Sequence, residues 1–376
     1  MTEKINRFIA EQDPPTPFLV VDLDIVAARF EEMRRQMPSV EIFYAVKANP
    51  APEIIDLLVE RGASFDVASP AEVDLVLCHG ADPKTLSYGN TIKKQRDIAH
   101  AYNRGVELFA FDSAAELDKL ALAAPGAKVF CRLLVENDGA QWPLARKFGC
   151  DGAMAVELLA AAGGKGLRPH GLAFHVGSQQ CEPEQWDGAL ARAAEIFKAL
   201  EGRGVELSML NIGGGFPARY AREVAQFGDY ATAIERAMSR HFGNRLPRTL
   251  AEPGRYLVGD AGVLQAEVVL IARKSEKDPL RWIYLDIGRF GGLAETEGEA
   301  IDYALRTPHD GKPSGPAVLA GPTCDSVDIL YQRDGYEMPL DLAIGDRVQF
   351  LSTGAYTTTY ATVGFNGFDP LPAYYI

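Results

Sequence analysis

EIFYAVKANPAPEIIDLLVERG, residues 41–62, reads as one structural unit. EIFYAVKA (41–48) alternates and is rich in aromatic and β-branched residues, the pattern of a strand. A proline-marked break follows, and PEIIDLLVERG (52–62) then carries apolar residues at helical spacing. Going outward, the same strand-then-helix unit recurs. SFDVAS (64–69) precedes PAEVDLVLCHG, TLSYGN (85–90) precedes KKQRDIAHAYNRG, and LFAFDS (108–113) precedes AAELDKLALAAPG. KVFCRLLV (128–135) comes next, with helical material at 152–163. PHGLAFHVGS (169–178) precedes EQWDGALARAAEIFKALEGRG, LSMLNIGGG (207–215) precedes DYATAIERAMSRHFG, and TLAEPG (249–254) closes the series. Such alternation implies parallel βαβ units, and eight strands over roughly 210 residues imply a (β/α)8 barrel of the TIM type.

After about residue 256 the pattern changes. LQAEVVLIA, RWIYLDIG, PAVLAGPTC, DRVQFLS and ATVGFNGF read as strands separated by turns, with no long helix among them. The expected organisation is an α/β barrel over 18–256, with residues 1–17 and 257–376 forming a β-rich domain. HDGKPSG (309–315) reads as an exposed loop.

At 376 residues, 47% hydrophobic and 24% charged, the chain has ample apolar material for a large core plus a second domain. Its net charge of −13 argues against nucleic acid or an anionic membrane as partner. The five cysteines, Cys78, Cys131, Cys150, Cys181 and Cys324, are scattered and contain no C-x-x-C. That pattern is neither a disulfide framework nor a zinc site, and no metal is expected. The opening MTEKINRFIAEQDPPTPF lacks a basic region followed by an apolar run, so no signal peptide is expected. With no apolar stretch long enough to span a bilayer, the expected location is cytoplasmic.

Active sites of such barrels are built at the C-terminal ends of the strands. Those ends carry Lys47, Asp66, Ser69, Asn90, Asp112, Arg132, His175, Ser178, Gly213–Gly215, and Glu252 with Arg255. Small polar residues there also serve as helix caps, but Lys, Arg and His are poorer caps. Lys47, after an apolar strand, suits an amine nucleophile, although a strand-end lysine also snorkels to solvent. Three consecutive glycines in NIGGGFP (211–217) expose backbone N–H groups that can wrap a phosphate. They match neither G-x-G-x-x-G nor the Walker pattern, so a dinucleotide or nucleoside triphosphate is not indicated. In AEPGRY (251–256), Glu252 could hold a protonated pyridine nitrogen and Arg255 a phosphate. A surface Glu–Arg pair is the plainer alternative. His170 and His175 are five apart on a strand, hence on opposite faces, and cannot both ligate one metal. In GPTCDSVD (321–328), Cys324 could donate a proton and Asp325 could anchor a substrate cation, the alternative for Cys324 being a buried structural thiol.

Taken together and in order, FYAVKANP, FDVAS, HVGSQ, NIGGGFP, EPGRY, GPTCDSVD, GAYT and FNGF resemble the fold-type III pyridoxal-phosphate decarboxylases. Within that group they look like ornithine decarboxylase, in particular the bacterial ornithine/lysine decarboxylases. The resemblance runs from TPFLVVDLD near residue 16 to FNGF at 365–368, almost the whole chain. It implies the alanine racemase-like fold, pyridoxal 5′-phosphate (PLP) as cofactor, and a head-to-tail homodimer with shared active sites. By the same resemblance Lys47 is the Schiff-base lysine, His175 stacks on the pyridine ring, and Glu252 pairs with the ring nitrogen. Ser178, Gly213, Gly214, Gly215, Gly254, Arg255 and Tyr356 match phosphate-binding positions, and Asp66 and Arg132 match polar residues around the cofactor. Cys324 corresponds to the proton donor to the product carbanion. Asp325, with Tyr356 and Phe365 nearby, corresponds to the group holding the substrate's distal amine. An unpaired buried ammonium is costly, so a second acid is expected in GGLAETEGEAIDY (291–303), with Glu299 first and Glu295 next. Asn211 departs from the aspartate many relatives carry before the glycines.

The implied reaction is decarboxylation of L-ornithine to putrescine, with L-lysine to cadaverine as a second activity, in polyamine biosynthesis. Diaminopimelate decarboxylase is the nearest rival, but those enzymes carry Cys-Glu-Ser where this chain has Cys324-Asp325-Ser326. A non-catalytic regulator resembling antizyme inhibitor is a rival of another class, and intact Lys47, Glu252, Arg255 and Cys324 argue against it.

Overall fold

The computed structural model describes residues 2–135, 138–142 and 146–376. In chain order the strands are β1 (Phe18–Val21), β2 (Val40–Ala45), β3 (Ser64–Val67), β4 (Leu86–Tyr88), β5 (Leu108–Phe111), β6 (Lys128–Arg132), β7 (Ala140–Trp142), β8 (Arg168–Ala173), β9 (Ser178–Gln180), β10 (Met209–Asn211) and β11 (Arg248–Ala251). Then follow β12 (Gly262–Ala272), β13 (Arg281–Leu285), β14 (Leu305–Arg306), β15 (Ser314–Ala320), β16 (Ile329–Pro339), β17 (Arg347–Leu351) and β18 (Ala373–Tyr375). By contacts the chain forms two compact units. One comprises Ala27–Pro217 and Val224–Tyr256; the other comprises Met1–Val26, Ala218–Glu223 and Leu257–Ile376.

The first unit is a closed barrel of eight parallel strands in the cyclic order β10-β11-β2-β3-β4-β5-β6-β8. These are the eight strands expected from the sequence. Its interior holds Phe43, Leu108, Ala110, Phe130, Ala173, Met209 and Leu250, all buried. Burying one such large apolar side chain contributes about 1.5–3 kcal/mol. Several inter-strand helices begin where the sequence supplies caps or a first-turn proline. Ser69, Ser113 and Asp151 each accept a hydrogen bond from the backbone N–H three residues on, and Pro52 and Pro70 occupy first-turn positions. One detail differs from expectation. The strand ends at Ala45, whose N–H donates to Pro253 O on the neighbouring strand end, and Val46–Ala48 form a single 3-10 turn. Lys47 therefore projects from a turn rather than continuing the Phe43–Ala45 face.

The second unit is an eight-stranded sheet in the order β14-β17-β12-β13-β15-β16, with β1 pairing both β12 and β18. Pairing is antiparallel except for β13–β15 and β1–β18. Phe18–Val21 lies antiparallel to Gly262–Gln265, so the first crossing between units falls after Val26, not at residue 18. An N-terminal helix, Glu3–Gln12, capped by Thr2, buries Ile5 against Phe18, Val20 and Val263. ATVGFNGF does not form the expected strand, because Gly364, Asn366 and Gly367 all have left-handed φ of +66°, +52° and +79°. Among the described residues, no helix is long and apolar enough to cross a membrane.

Candidate active site

The strand ends of the barrel bring together most of the expected set. Asp66, at the end of β3, is buried, and its Oδ1 has no hydrogen-bond partner among the described residues. Gly89 makes room for it: a Cβ at that position would lie 2.1 Å from Oδ1. Burial pushes the Asp66 carboxyl well above its usual range; the Glu252 charge adds to this, while Lys47 and Arg132 oppose it. Arg132, the last residue of β6, has its pKa lowered by its own burial but supported by Glu252, Asp66 and Asp112. Its guanidinium lies 5.0 Å from the Phe148 ring centroid. Lys47, the exposed residue of an otherwise buried turn, faces the same field and acts on Asp66, Glu72 and His175.

His175, two residues past β8, accepts a hydrogen bond at Nδ1 from the Gly177 N–H at 3.1 Å. That contact places the proton of a neutral ring on Nε2. Burial, reinforced by the positive charges of Arg132 and Lys47, holds the imidazole well below its usual pKa. The ring is therefore neutral, flat and placed against Gly214, whose added Cβ would lie 3.4 Å from Nε2.

The glycine loop after β10 is tied on every side. A Cβ at Gly213 would meet Phe174 O at 2.2 Å, one at Gly214 Glu252 O at 2.5 Å, and one at Gly215 Gly177 O at 2.4 Å. Only glycine permits this approach, and Gly213 and Gly215 also need φ of +70° and +99°. Gly215 O accepts from Gln180 N at 2.9 Å, which brings the loop beside Ser178. Ser178 Oγ in turn accepts from Arg255 Nη2 at 3.2 Å, and Arg255 is 3% exposed. A side-chain-free loop, a serine hydroxyl and a buried guanidinium thus converge, a donor set suited to a phosphate dianion. Together with the unpartnered Asp66 oxygen and the flat neutral His175, this arrangement fits a phosphorylated pyridine.

Other residues were not expected from the sequence. Glu72, in the first turn after Ser69, accepts from Ala68 N at 2.6 Å, and burial raises its pKa. The S-x-x-E spacing of a capping box was its legible signal. Lys93 is buried, donates to Asn90 O at 2.7 Å and Ala110 O at 2.6 Å, and pairs with Glu116 at 3.0 Å, fastening the ends of β4 and β5. Burial lowers its pKa to about 8. Cys131 and Cys150, scattered in sequence, have sulfurs 3.5 Å apart behind Arg132.

The sheet unit carries the remaining expected residues. Cys324 and Asp325 are exposed. Cys324 N donates to Asn366 Oδ1 at 2.6 Å, and Asp325 Oδ1 accepts from Val327 N at 3.0 Å. The loop is anchored by Asp328, another residue sequence reading passed over. It is buried and accepts from Arg289 N (2.8 Å), Thr323 N (3.1 Å) and Thr323 Oγ1 (2.6 Å). Its carboxylate fills the space over Gly288 and Gly321, where any Cβ would lie within 2.4 Å of it. Glu299, at φ +59°, spends Oε1 on Gln332 N (2.7 Å) and Arg333 N (2.6 Å), and Glu295 is buried. Phe365 packs against Phe290 with centroids 5.0 Å apart, and Tyr356 has φ +59°. Among the described residues no group of three or more His, Cys, Asp or Glu is arranged to hold a metal.

The family profile "Pyridoxal-dependent decarboxylase, pyridoxal binding domain" matches residues 23–259. The chain belongs to the PLP-dependent decarboxylase family. It is 38% identical to the lysine/ornithine decarboxylase of Selenomonas ruminantium over 99% of this chain and 92% of that one. Among solved structures it resembles the Selenomonas ruminantium lysine decarboxylase in complex with PLP and cadaverine, with TM-score 0.88, 36% identity, and coverage of 99% and 93%. It is likewise similar to the arginine decarboxylase of Paramecium bursaria Chlorella virus, with TM-score 0.90, 29% identity and full coverage of both chains. This decarboxylase takes PLP as its cofactor and a basic amino acid as its substrate.

Proposed function

We propose that this decarboxylase acts first on L-ornithine, giving putrescine, and second on L-lysine, giving cadaverine, as a cytoplasmic homodimer with shared sites in polyamine biosynthesis. Lys47 would hold the cofactor through its amine. Ser178, Gly213–Gly215, Gly254, Arg255 and Tyr356 would hold its phosphate, with Asp66 and Arg132 as further polar residues around it. His175, neutral and planar, would pack against the pyridine ring, and Glu252 would hold its nitrogen. Bound PLP supplies an electron sink for the pair left behind when carbon dioxide departs. Glu252 keeps a proton at the ring nitrogen, and Cys324 delivers a proton to the substrate α-carbon.

One observation carries the substrate reading. Asp325 stands next to Cys324 on the same exposed loop, and Oδ2 takes no hydrogen bond among the described residues. That oxygen suits a simple ammonium rather than an amino-acid head group. Glu299 offers its second carboxylate oxygen to the same charge, with Glu295 as the next candidate. A pocket one methylene too long or short discriminates by only about 1–3 kcal/mol, which supports lysine as second substrate. Phe365 and Tyr356 line the methylene chain.

The test is carbon dioxide release by the PLP-loaded protein, comparing kcat/KM for L-ornithine, L-lysine, L-arginine and meso-diaminopimelate. Ornithine should lead, with lysine next. Arginine or diaminopimelate in first place overturns the substrate reading. A full cofactor spectrum with no turnover of any of the four would instead point to a regulator.

A further inference from the structure

Cys131 and Cys150 meet beside the strand end that carries Arg132. Cys131 lies in β6, and Cys150 joins the extension of that strand through a parallel bridge to Leu133. Cys131 and Leu133, two apart on the strand, share a face, so the Cys150 thiol sits diagonally across from Cys131. Both are free, buried thiols with sulfurs 3.5 Å apart, and both aim at one acceptor, Arg132 O, at 3.9 and 3.7 Å. The residues leading to Cys150 also touch the Arg132 surroundings. The Phe148 ring centroid lies 5.0 Å from the guanidinium, Gly149 N donates to Asp112 Oδ2 at 2.8 Å, and Cys150 N donates to Arg132 O at 3.1 Å. Asp112 is one of the charges that support the Arg132 cation.

We propose that Cys131 and Cys150 form an oxidisable dithiol, a site of reversible disulfide formation by peroxides, and that closing it displaces Arg132 and weakens PLP binding. The second half rests on the reading of Arg132 as a cofactor-side residue. Cys150 is 6% exposed and Cys131 0%, so the oxidant reaches Cys150 first. The Cys150 sulfur attacks the peroxide and the O–O bond breaks. The departing oxygen takes the thiol proton and leaves as alcohol or water, and Cys150 becomes a sulfenic acid. The Cys131 sulfur then displaces the hydroxyl: the S–S bond forms, the S–O bond breaks, and hydroxide leaves with the Cys131 proton as water. The hydrogen bond to Cys150, together with burial, holds the Cys131 thiol well above its usual pKa, so it keeps its proton until that step. Closure must shorten the sulfur separation from 3.5 Å to about 2.0 Å. β6 is fixed in the barrel between β5 and β8, whereas Cys150 is attached by an isolated bridge, so Cys150 is the partner that moves. Its movement draws Gly149 from Asp112 and Phe148 from the Arg132 guanidinium.

The experiment treats the full chain with hydrogen peroxide and maps disulfides by mass spectrometry of peptides prepared without reductant. PLP affinity is measured by absorbance before treatment, after it, and after dithiothreitol. Cys324 is exposed and will oxidise too, so affinity rather than turnover is the readout. A Cys131–Cys150 cross-link should appear, and PLP affinity should fall about tenfold, the scale of one charge-assisted hydrogen bond. Dithiothreitol should restore it. Cys150→Ala and Cys131→Ala should keep their affinity through the same treatment. The proposal is overturned if the wild-type chain forms no such cross-link, if the cross-link leaves affinity unchanged, or if the loss is irreversible or equal in both variants. Should the variants fail to fold, the wild-type mapping and its reversal decide alone. Failure of the reduced wild-type chain to take up PLP would count against the cofactor-site reading, and the mapping would still decide the dithiol.

Discussion

The barrel mouth and the Cys324–Asp325 loop both carry groups expected to act on the substrate, but they are built on opposite principles. At the barrel mouth, polar groups are drawn into a shared field: Asp66 is buried with an oxygen unpartnered among the described residues, Arg132 and His175 are shifted by burial, and the glycine loop is packed to backbone contact. On the sheet unit, Cys324 and Asp325 are exposed, and what is buried is the anchor, Asp328. The fold pre-organises the first set by fixing strand ends. It presents the second set on a stiffened loop, the arrangement expected of residues completed by another surface, as in the proposed shared-site dimer.

The sharpest way to break this comparison is to remove the central group of the mouth. Lys47→Ala should lower kcat/KM by about a thousandfold or more and abolish borohydride fixing of the cofactor, checked by absorbance. Cys324→Ala should be milder, about a hundredfold in kcat/KM, with the spectrum of bound PLP unchanged. A lost spectrum would mean that the two regions are not separable. Asp328→Ala strips partners from two backbone N–H groups and the Thr323 hydroxyl. It should cost about 1–3 kcal/mol of stability, measured by urea unfolding, and reduce turnover without weakening PLP affinity.

A subtler test separates two buried groups by the sign of their pH effect in the cofactor-free chain. The raised Asp66 pKa gives stability that is full below the ordinary value of 3.8 and lost as pH rises through the folded pKa. The depressed His175 pKa gives stability that is present above 6.5 and lost as pH falls through the folded pKa. Between pH 3.8 and 6.5, Tm should rise with pH more steeply in Asp66→Asn than in wild type, and less steeply in His175→Gln. Equal slopes would mean that these groups are not shifted. The smallest effect belongs to the solvated surface. Lys165→Ala breaks an ion pair with Asp118 whose partners are 38% and 56% exposed, and should move stability by less than about 0.5 kcal/mol.

Much of the barrel was legible because short apolar strands recur ahead of helical patterns, some of which open on a sequence cap, as at Ser69-Pro70 and Ser113. Local pattern and local structure agree there. The sheet unit was harder. Ile329–Pro339 contains the polar stretch QRDG and pairs with Ser314–Ala320 through register shifts, so its alternation is broken where the ladder bulges. ATVGFNGF had strand-like composition, yet its left-handed residues turn it away. At the site, Lys47, His175, Glu252 and the glycines stood out as residue types at strand ends, whereas Glu72 and Asp328 look like ordinary helix-start and loop acids.

The sequence by itself determined the class of fold, the order of the βα units and the residue types offered at each strand end, because these depend on periodicity and caps within short windows. Only the tertiary structure decided that β1 joins the second sheet, that Lys47 leaves its strand for a turn, that Cys131 meets Cys150 and that Asn211 grips Glu252. Each of these joins residues 19 to more than 200 positions apart or turns on a backbone angle set by such a contact, as where Ala45 N meets Pro253 O. Pairing across that distance is set by barrel closure and sheet register, which a local pattern does not encode.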